Sequence, residues 1–247
     1  MRVLVEACVD SVESALAAER GGAARLELCD ALHDAGTTPS AGMIAAVKAR
    51  VRIPVFVIVR PRGGGFVYSA VELDVMRRDI DVAKRLGADG LVLGVLDAGA
   101  RVDAERTREL VVLAGETPVT FHRAFDLARD RLAALEVLAS AGVRRVLTSG
   151  GAATALDGAA AIAELVERAA GRIVVMPGGG IREESVRDVV RLSGAREIHT
   201  RGTRLARTKM EPVNLHVRFR KALPDDEGAW EETDESRVRA LAALAND

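Results

Sequence analysis

The sequence predicts an α/β fold of the (β/α)8 barrel type, eight parallel strands ringed by helices. Short β-branched runs alternate with longer amphipathic runs from end to end. The strand starts fall 21 to 35 residues apart, the repeat of a βα unit with short connections. Polar, charged and thiol residues gather at the ends of several of these strands, where such a barrel keeps its site. An open doubly wound sheet is the alternative, because periodicity alone does not require closure.

The elements follow in order. Strands are expected near 3–8, 24–29, 54–60, 89–94, 117–122, 144–149, 172–177 and 196–200. Helices are expected near 11–20, 40–51, 70–86, 103–114, 129–141, 154–170, 183–192 and 234–245. Asp10 or Ser11 can cap the first helix. Gly87 and Gly142 stand just past helical runs, where a left-handed residue ends a helix well. Pro54 and Pro118 open their strands, where a missing N–H is tolerated. The 247 residues read as one domain, 1–247, with 202–233 as an irregular loop or flap before the last helix.

Composition narrows the function. Lys and Arg number 35 against 36 Asp and Glu, a net charge of −1 that points to neither a nucleic acid nor a membrane surface as partner. No apolar run approaches the ~18 residues of a membrane span, and no signal peptide is expected, since the first residues run directly into strand-like alternation. A cytoplasmic protein is expected, with Cys8 and Cys29 reduced.

Alternation assigns the inner face of each strand. Val3, Val5 and Ala7 suit the helix layer, which turns Glu6 and Cys8 toward the axis. By the same parity Arg25, Glu27 and Cys29 point inward from the second strand, Arg60 from the third, His122 from the fifth and His199 from the eighth. Glu6, Glu27, Arg60 and His122 are therefore expected to converge on one pocket at the C-terminal rim. An internal salt-bridge cluster of Glu6 and Glu27 with Arg25 and Arg60 is the structural alternative.

Several motifs carry chemistry. Arg60 and Arg62, in RPRGGG, can hold a carboxylate or phosphate through their guanidinium forks. Gly178, Gly179 and Gly180, in PGGGIR after the seventh strand, allow backbone N–H groups to approach an anion. In FHRAFD, His122 joins Glu27 as an acid/base candidate, with Asp126 to orient His122 or pair with Arg123. Cys8 and Cys29 end adjacent strands with the same parity, so their sulfurs can meet; two soft thiolates suit Cu(I), whereas two inert core cysteines are the plainer reading.

The segments EACVDSVESA, ARLELCDAL, GTTPSAG, VIVRPRGGGFVYS, GLVLGVLD, VTFHRAFD, RVLTSGG and PGGGIR, spread in order from about residue 3 to 201, resemble the CutC family. The resemblance implies a (β/α)8 barrel, a cytoplasmic homo-oligomer (dimer or tetramer) and a role in copper homeostasis. It also implies Cu(I) ligation by Cys8, in EACVDS, and Cys29, in LELCDA. The GTTPSAG and PGGGIR blocks vary on the family's usual forms. The alternative is a barrel isomerase, lyase or hydrolase acting on a small anionic or phosphorylated substrate. It would be held by Glu6, Arg60, Arg62, Arg123, the Gly178–Gly180 loop and His199, with Glu27, His122 and Asp126 moving protons.

Overall fold

The computed structural model describes residues 2–210 and 228–247. Eight strands alternate with helices: β1 Leu4–Val9, α1 Val12–Arg20, β2 Arg25–Leu28, α2 Ala41–Lys48, β3 Val55–Ile58, α3 Ala70–Arg85, β4 Gly90–Leu93 and α4 Ala104–Ala114. The chain continues through β5 Val119–Phe121, α5 Arg131–Ser140, β6 Arg145–Thr148, α6 Ala159–Ala169, β7 Val174–Pro177, α7 Val186–Ser193 and β8 Glu197–Thr200. All barrel strands are parallel, in the order β7-β6-β5-β4-β3-β2-β1-β8. A single parallel bridge between Gly178 and His199 joins the two ends, so the sheet is a closed barrel and not the open alternative.

The outward strand residues are apolar for a physical reason. Val5, Ala7, Val9, Leu26, Leu28, Val55, Val57, Leu91 and Leu93 are buried between sheet and helices. Each larger side chain so placed contributes roughly 1.5–3 kcal/mol. Small residues on α1, Ala15 and Ala18, let that helix lie close to the barrel. Ser11 caps α1, its Oγ accepting from Ser14 N at 3.1 Å. Ser69 and Glu72 form a reciprocal capping box at α3.

The inner floor is polar and paired. Arg25 and Arg145 lie over the Phe56 ring, their guanidinium carbons 4.9 and 5.5 Å from its centre. Gly90 makes room for that ring, since a Cβ there would come within 2.4 Å of it. Both arginines converge on Glu197: Arg25 Nη2 donates to Oε2 at 2.7 Å, and Arg145 donates from Nε at 2.6 Å and Nη2 at 3.0 Å. Arg25 Nε also donates to Glu6 Oε2. Of the expected internal cluster only the Glu6–Arg25 pair forms, and it is extended by Arg145 and Glu197. Arg60 and Glu27 stand outside these pairs.

After β8 the expected irregular stretch carries regular structure. β9 Thr203–Arg207 pairs antiparallel with β10 Ala229–Thr233, with Thr233 opposite Thr203. Residues 211–227 of that stretch lie outside the described residues. α8 Glu235–Leu244 follows and buries Val238 and Leu241. Among the described residues no helix is long and apolar enough to cross a membrane.

Candidate functional site

A cavity of about 580 Å³ opens at the C-terminal mouth, a volume in the range of small-ligand sites. Cys8, Glu27, Arg60, His122, Arg123, Gly179, Gly180 and His199 line it, so the structure brings these eight expected residues together.

The deepest chemistry is a cluster on β1, β2 and β8. The register sets Cys8 opposite Glu27 and Glu6 opposite His199. Cys8 Sγ and Cys29 Sγ lie 3.7 Å apart as free thiols. That contact holds Cys8 well below the usual thiol range although burial opposes it, with His199 and Glu27 adding to the effect. The same contact, together with burial, pushes Cys29 well above it. The pair therefore favours one thiolate, Cys8, beside one thiol. Cys29 Sγ also lies 3.5 Å from Glu27 Oε2. Burial drives Glu27 well above the carboxylate range, and the negative charge of Cys8 adds to this.

His199 joins the cluster through its orientation. Its Nδ1 lies 2.8 Å from Glu6 Oε1, which leaves Nε2 facing Glu27 Oε2 at 3.7 Å. Burial alone would lower His199, but Glu27, Cys8 and Glu6 outweigh it and raise the imidazole well above its usual range. Glu6 is held down to about 2: burial opposes its ionisation, and Arg25 and His199 overcome it. The metal-capable atoms of Cys8, Glu27 and His199 all lie within 4.8 Å of one another.

The opposite wall is different. His122 Nδ1 accepts from Ala124 N–H at 3.2 Å, so the ring is neutral and its proton sits on Nε2. Nε2 is buried and has no partner among the described residues. Burial, with the neighbouring Arg60 charge, lowers His122 to about 3. Phe66 packs on the ring at 4.9 Å.

Other expected residues fall elsewhere. Glu6 does not line the cavity; it lies one layer below, tied to Arg25 and His199. Cys29 sits behind Cys8, 1% exposed. Arg60 lines the cavity, but its Nη groups are consumed by the carbonyls of Asp34, Gly36 and Gly64 at 2.6, 2.6 and 2.9 Å. Arg62 lies outside, bound to Glu72 and to the carbonyls of Gly63, Gly65 and Val67. Asp126 does not orient His122. It pairs with Arg123 Nε at 2.7 Å and holds the turn after β6 through Ser149 N and Gly151 N at 3.0 and 3.1 Å. Gly178 belongs to the wall: a Cβ there would meet Leu147 at 2.5 Å and His199 at 3.1 Å.

Sequence reasoning missed Arg182, Glu183, Arg201, Glu231 and Arg237, which also line the mouth. Arg237 forks onto Glu183 at 2.7 and 2.8 Å, and Arg201 reaches Glu231 at 2.9 Å. Arg182 stands in the PGGGIR block and could have been read from it. Glu183 follows Arg182 in the same connection and Arg201 directly follows β8, whereas Glu231 and Arg237 depend on how β10 and α8 return to the barrel, which no local pattern encodes.

Fold and site together define a (β/α)8 barrel protein with its polar chemistry at the C-terminal mouth. The CutC family profile matches residues 3–204. The mouse copper homeostasis protein cutC homolog is 49% identical over 244 residues, covering 99% of this chain and 90% of that protein. The human counterpart is 48% identical over 244 residues, covering 99% and 89%. The crystal structure of CutC from Streptococcus agalactiae superposes with a TM-score of 0.77 at 34% identity, covering 80% of this chain and 97% of that one. The chain belongs to the CutC family.

Proposed function

We propose that this protein binds Cu(I) in a reducing cytoplasm, with Cys8 and Cys29 as thiolate ligands and His199 Nε2 as a third donor. The observation that carries the reading is the meeting of two buried sulfurs, 3.7 Å apart, beside an imidazole whose other nitrogen is fixed by Glu6. Soft sulfur donors favour Cu(I) over hard cations. A carboxylate behind a ligating histidine sets its tautomer and strengthens it as a donor. The names of the mouse and human relatives point the same way. Copper entry would displace the Cys29 proton and the proton on His199 Nε2, so binding should release protons and weaken as pH falls.

The enzyme alternative draws no support from these relatives, and of its two expected partners Asp126 takes Arg123 and not His122. The test of the copper reading is anaerobic Cu(I) competition on reduced protein. The Cys8→Ser, Cys29→Ser double variant is expected to lose more than about 100-fold in affinity, beyond the loss from removing an outer hydrogen bond alone. Equal affinity in that variant would refute the reading.

A further inference from the structure

The wall facing the thiols is built for something other than a metal. Arg123 is locked by two bonds, Nε to Asp126 at 2.7 Å and Nη2 to Ser149 Oγ at 2.8 Å. Its remaining nitrogen, Nη1, lies only 3.0 Å from the position a Cβ would take on Gly179. That approach is open because Gly179 has no side chain. Gly179 and Gly180 adopt φ of 104° and 68°, a backbone that residues with a side chain rarely take and that leaves the chain free to approach a ligand closely. Arg182, two residues on, is exposed and forms no ion pair among the described residues. Next to Arg123 in the chain is His122, 5% exposed, which lines the same cavity and whose buried Nε2–H has no partner among the described residues. A buried donor without an acceptor is destabilising by itself, by an amount that a bound acceptor would recover.

We propose that the mouth binds a small phosphomonoester that carries a second acceptor oxygen, a carbonyl or carboxylate. The phosphate lies against Arg123 Nη1, Arg182 and the Gly179–Gly180 backbone. The second oxygen accepts from His122 Nε2–H. Guanidinium groups and glycine amides after the seventh strand suit a phosphate. A neutral imidazole donor suits a carbonyl or carboxylate oxygen, because its buried N–H is a poor place for a cation or an apolar group. This site is separate from the proposed copper ligands and does not depend on them.

The test is calorimetric titration of copper-free, reduced protein at neutral pH, so that its outcome is independent of the copper reading. Two probes are used: phosphoglycolate, which carries both groups, and inorganic phosphate, which carries one. Phosphoglycolate is expected to bind at least about tenfold more tightly than phosphate. His122→Phe keeps the ring volume and removes the donor; it should weaken phosphoglycolate about tenfold or more and leave phosphate within about twofold. Arg182→Gln, at an exposed position that the fold does not need, should weaken both probes. In histidine-15N-labelled protein the His122 Nε2 resonance should move on adding phosphoglycolate and stay with phosphate. Absence of phosphoglycolate binding at about 10 mM would overturn the proposal. So would a folded His122→Phe variant that binds it as tightly as the parent, or an Arg182→Gln variant that binds both probes unchanged.

Discussion

Glu6 and His199 face each other across the β1–β8 ladder, with Oε1 2.8 Å from Nδ1. One hydrogen bond therefore fixes which imidazole nitrogen looks into the cavity. It also joins the cavity to the floor, because the second oxygen of Glu6 accepts from Arg25. A carboxylate that never touches the cavity thus decides how the thiol cluster is presented.

Glu6→Gln should show this. The amide cannot supply the negative charge that helps raise His199, so the His199 titration should move down, toward its ordinary value, in a histidine NMR experiment. Cu(I) affinity should drop about 10- to 100-fold, as for loss of a carboxylate behind a ligating histidine. An unchanged His199 titration would mean that Glu27 and Cys8 alone set it.

Glu197 is the keystone of the floor. It accepts from Arg25 and from both ends of the Arg145 fork. Glu197→Gln would leave buried Arg145 without a carboxylate and Arg25 with Glu6 alone. Removing one partner of a buried pair typically costs about 3–5 kcal/mol. Urea denaturation should report a loss in that range. A loss below about 1 kcal/mol would show that Glu6 alone satisfies Arg25 and that Arg145 finds water.

Acid stability should carry the signature of His122. The unfolded ring takes a proton near 6.5, whereas the folded ring waits until about 3. Its contribution is thus fully present above pH 6.5 and is lost as pH falls from 6.5 toward 3. At pH 4.5 the loss is on the order of a few kcal/mol. Glu6, held at about 2 against an ordinary 4.5, adds a second loss as pH falls below 4.5. Denaturation of the His122→Phe variant should show a shallower decline between pH 6.5 and 4.5 than the parent. Parallel declines would mean that the ring is already solvated when folded.

The barrel itself was legible because its signals are local. Period-two alternation located every barrel strand, though not β9 and β10, and parity alone turned Glu6, Cys8, Glu27 and His199 inward. The meeting of Cys8 with Cys29 also followed from parity on neighbouring strands. Parity does not give depth along the axis, which is why Glu6 was expected at the rim and lies beneath it. Nor does it say which acceptor a long side chain will find. Arg60 turned to three carbonyls of neighbouring loops, Arg62 to its own loop and Glu72, and Asp126 to the turn after β6. Glu231 and Arg237, brought in by β10 and α8, come from a connection whose path no periodicity predicts.

The bridge between Gly178 and His199 carries a mechanical consequence. Every other neighbouring pair of barrel strands shares a ladder of two to four residues, whereas β7 and β8, though side by side, share a single bridge. The sheet is in effect a rolled ribbon with one stitched seam. The sulfur and imidazole groups ride on one end of the ribbon, on β8, β1 and β2. The glycine turn, Arg182 and Arg123 ride toward the other, on the connections that leave β7 and β5. A slight gaping of the seam would change the distance between these two sets while leaving each intact within itself. Whatever occupies the mouth across that line acts as a clasp, and the backbone amides beside Gly178 and His199 are where its presence would first be felt in hydrogen exchange.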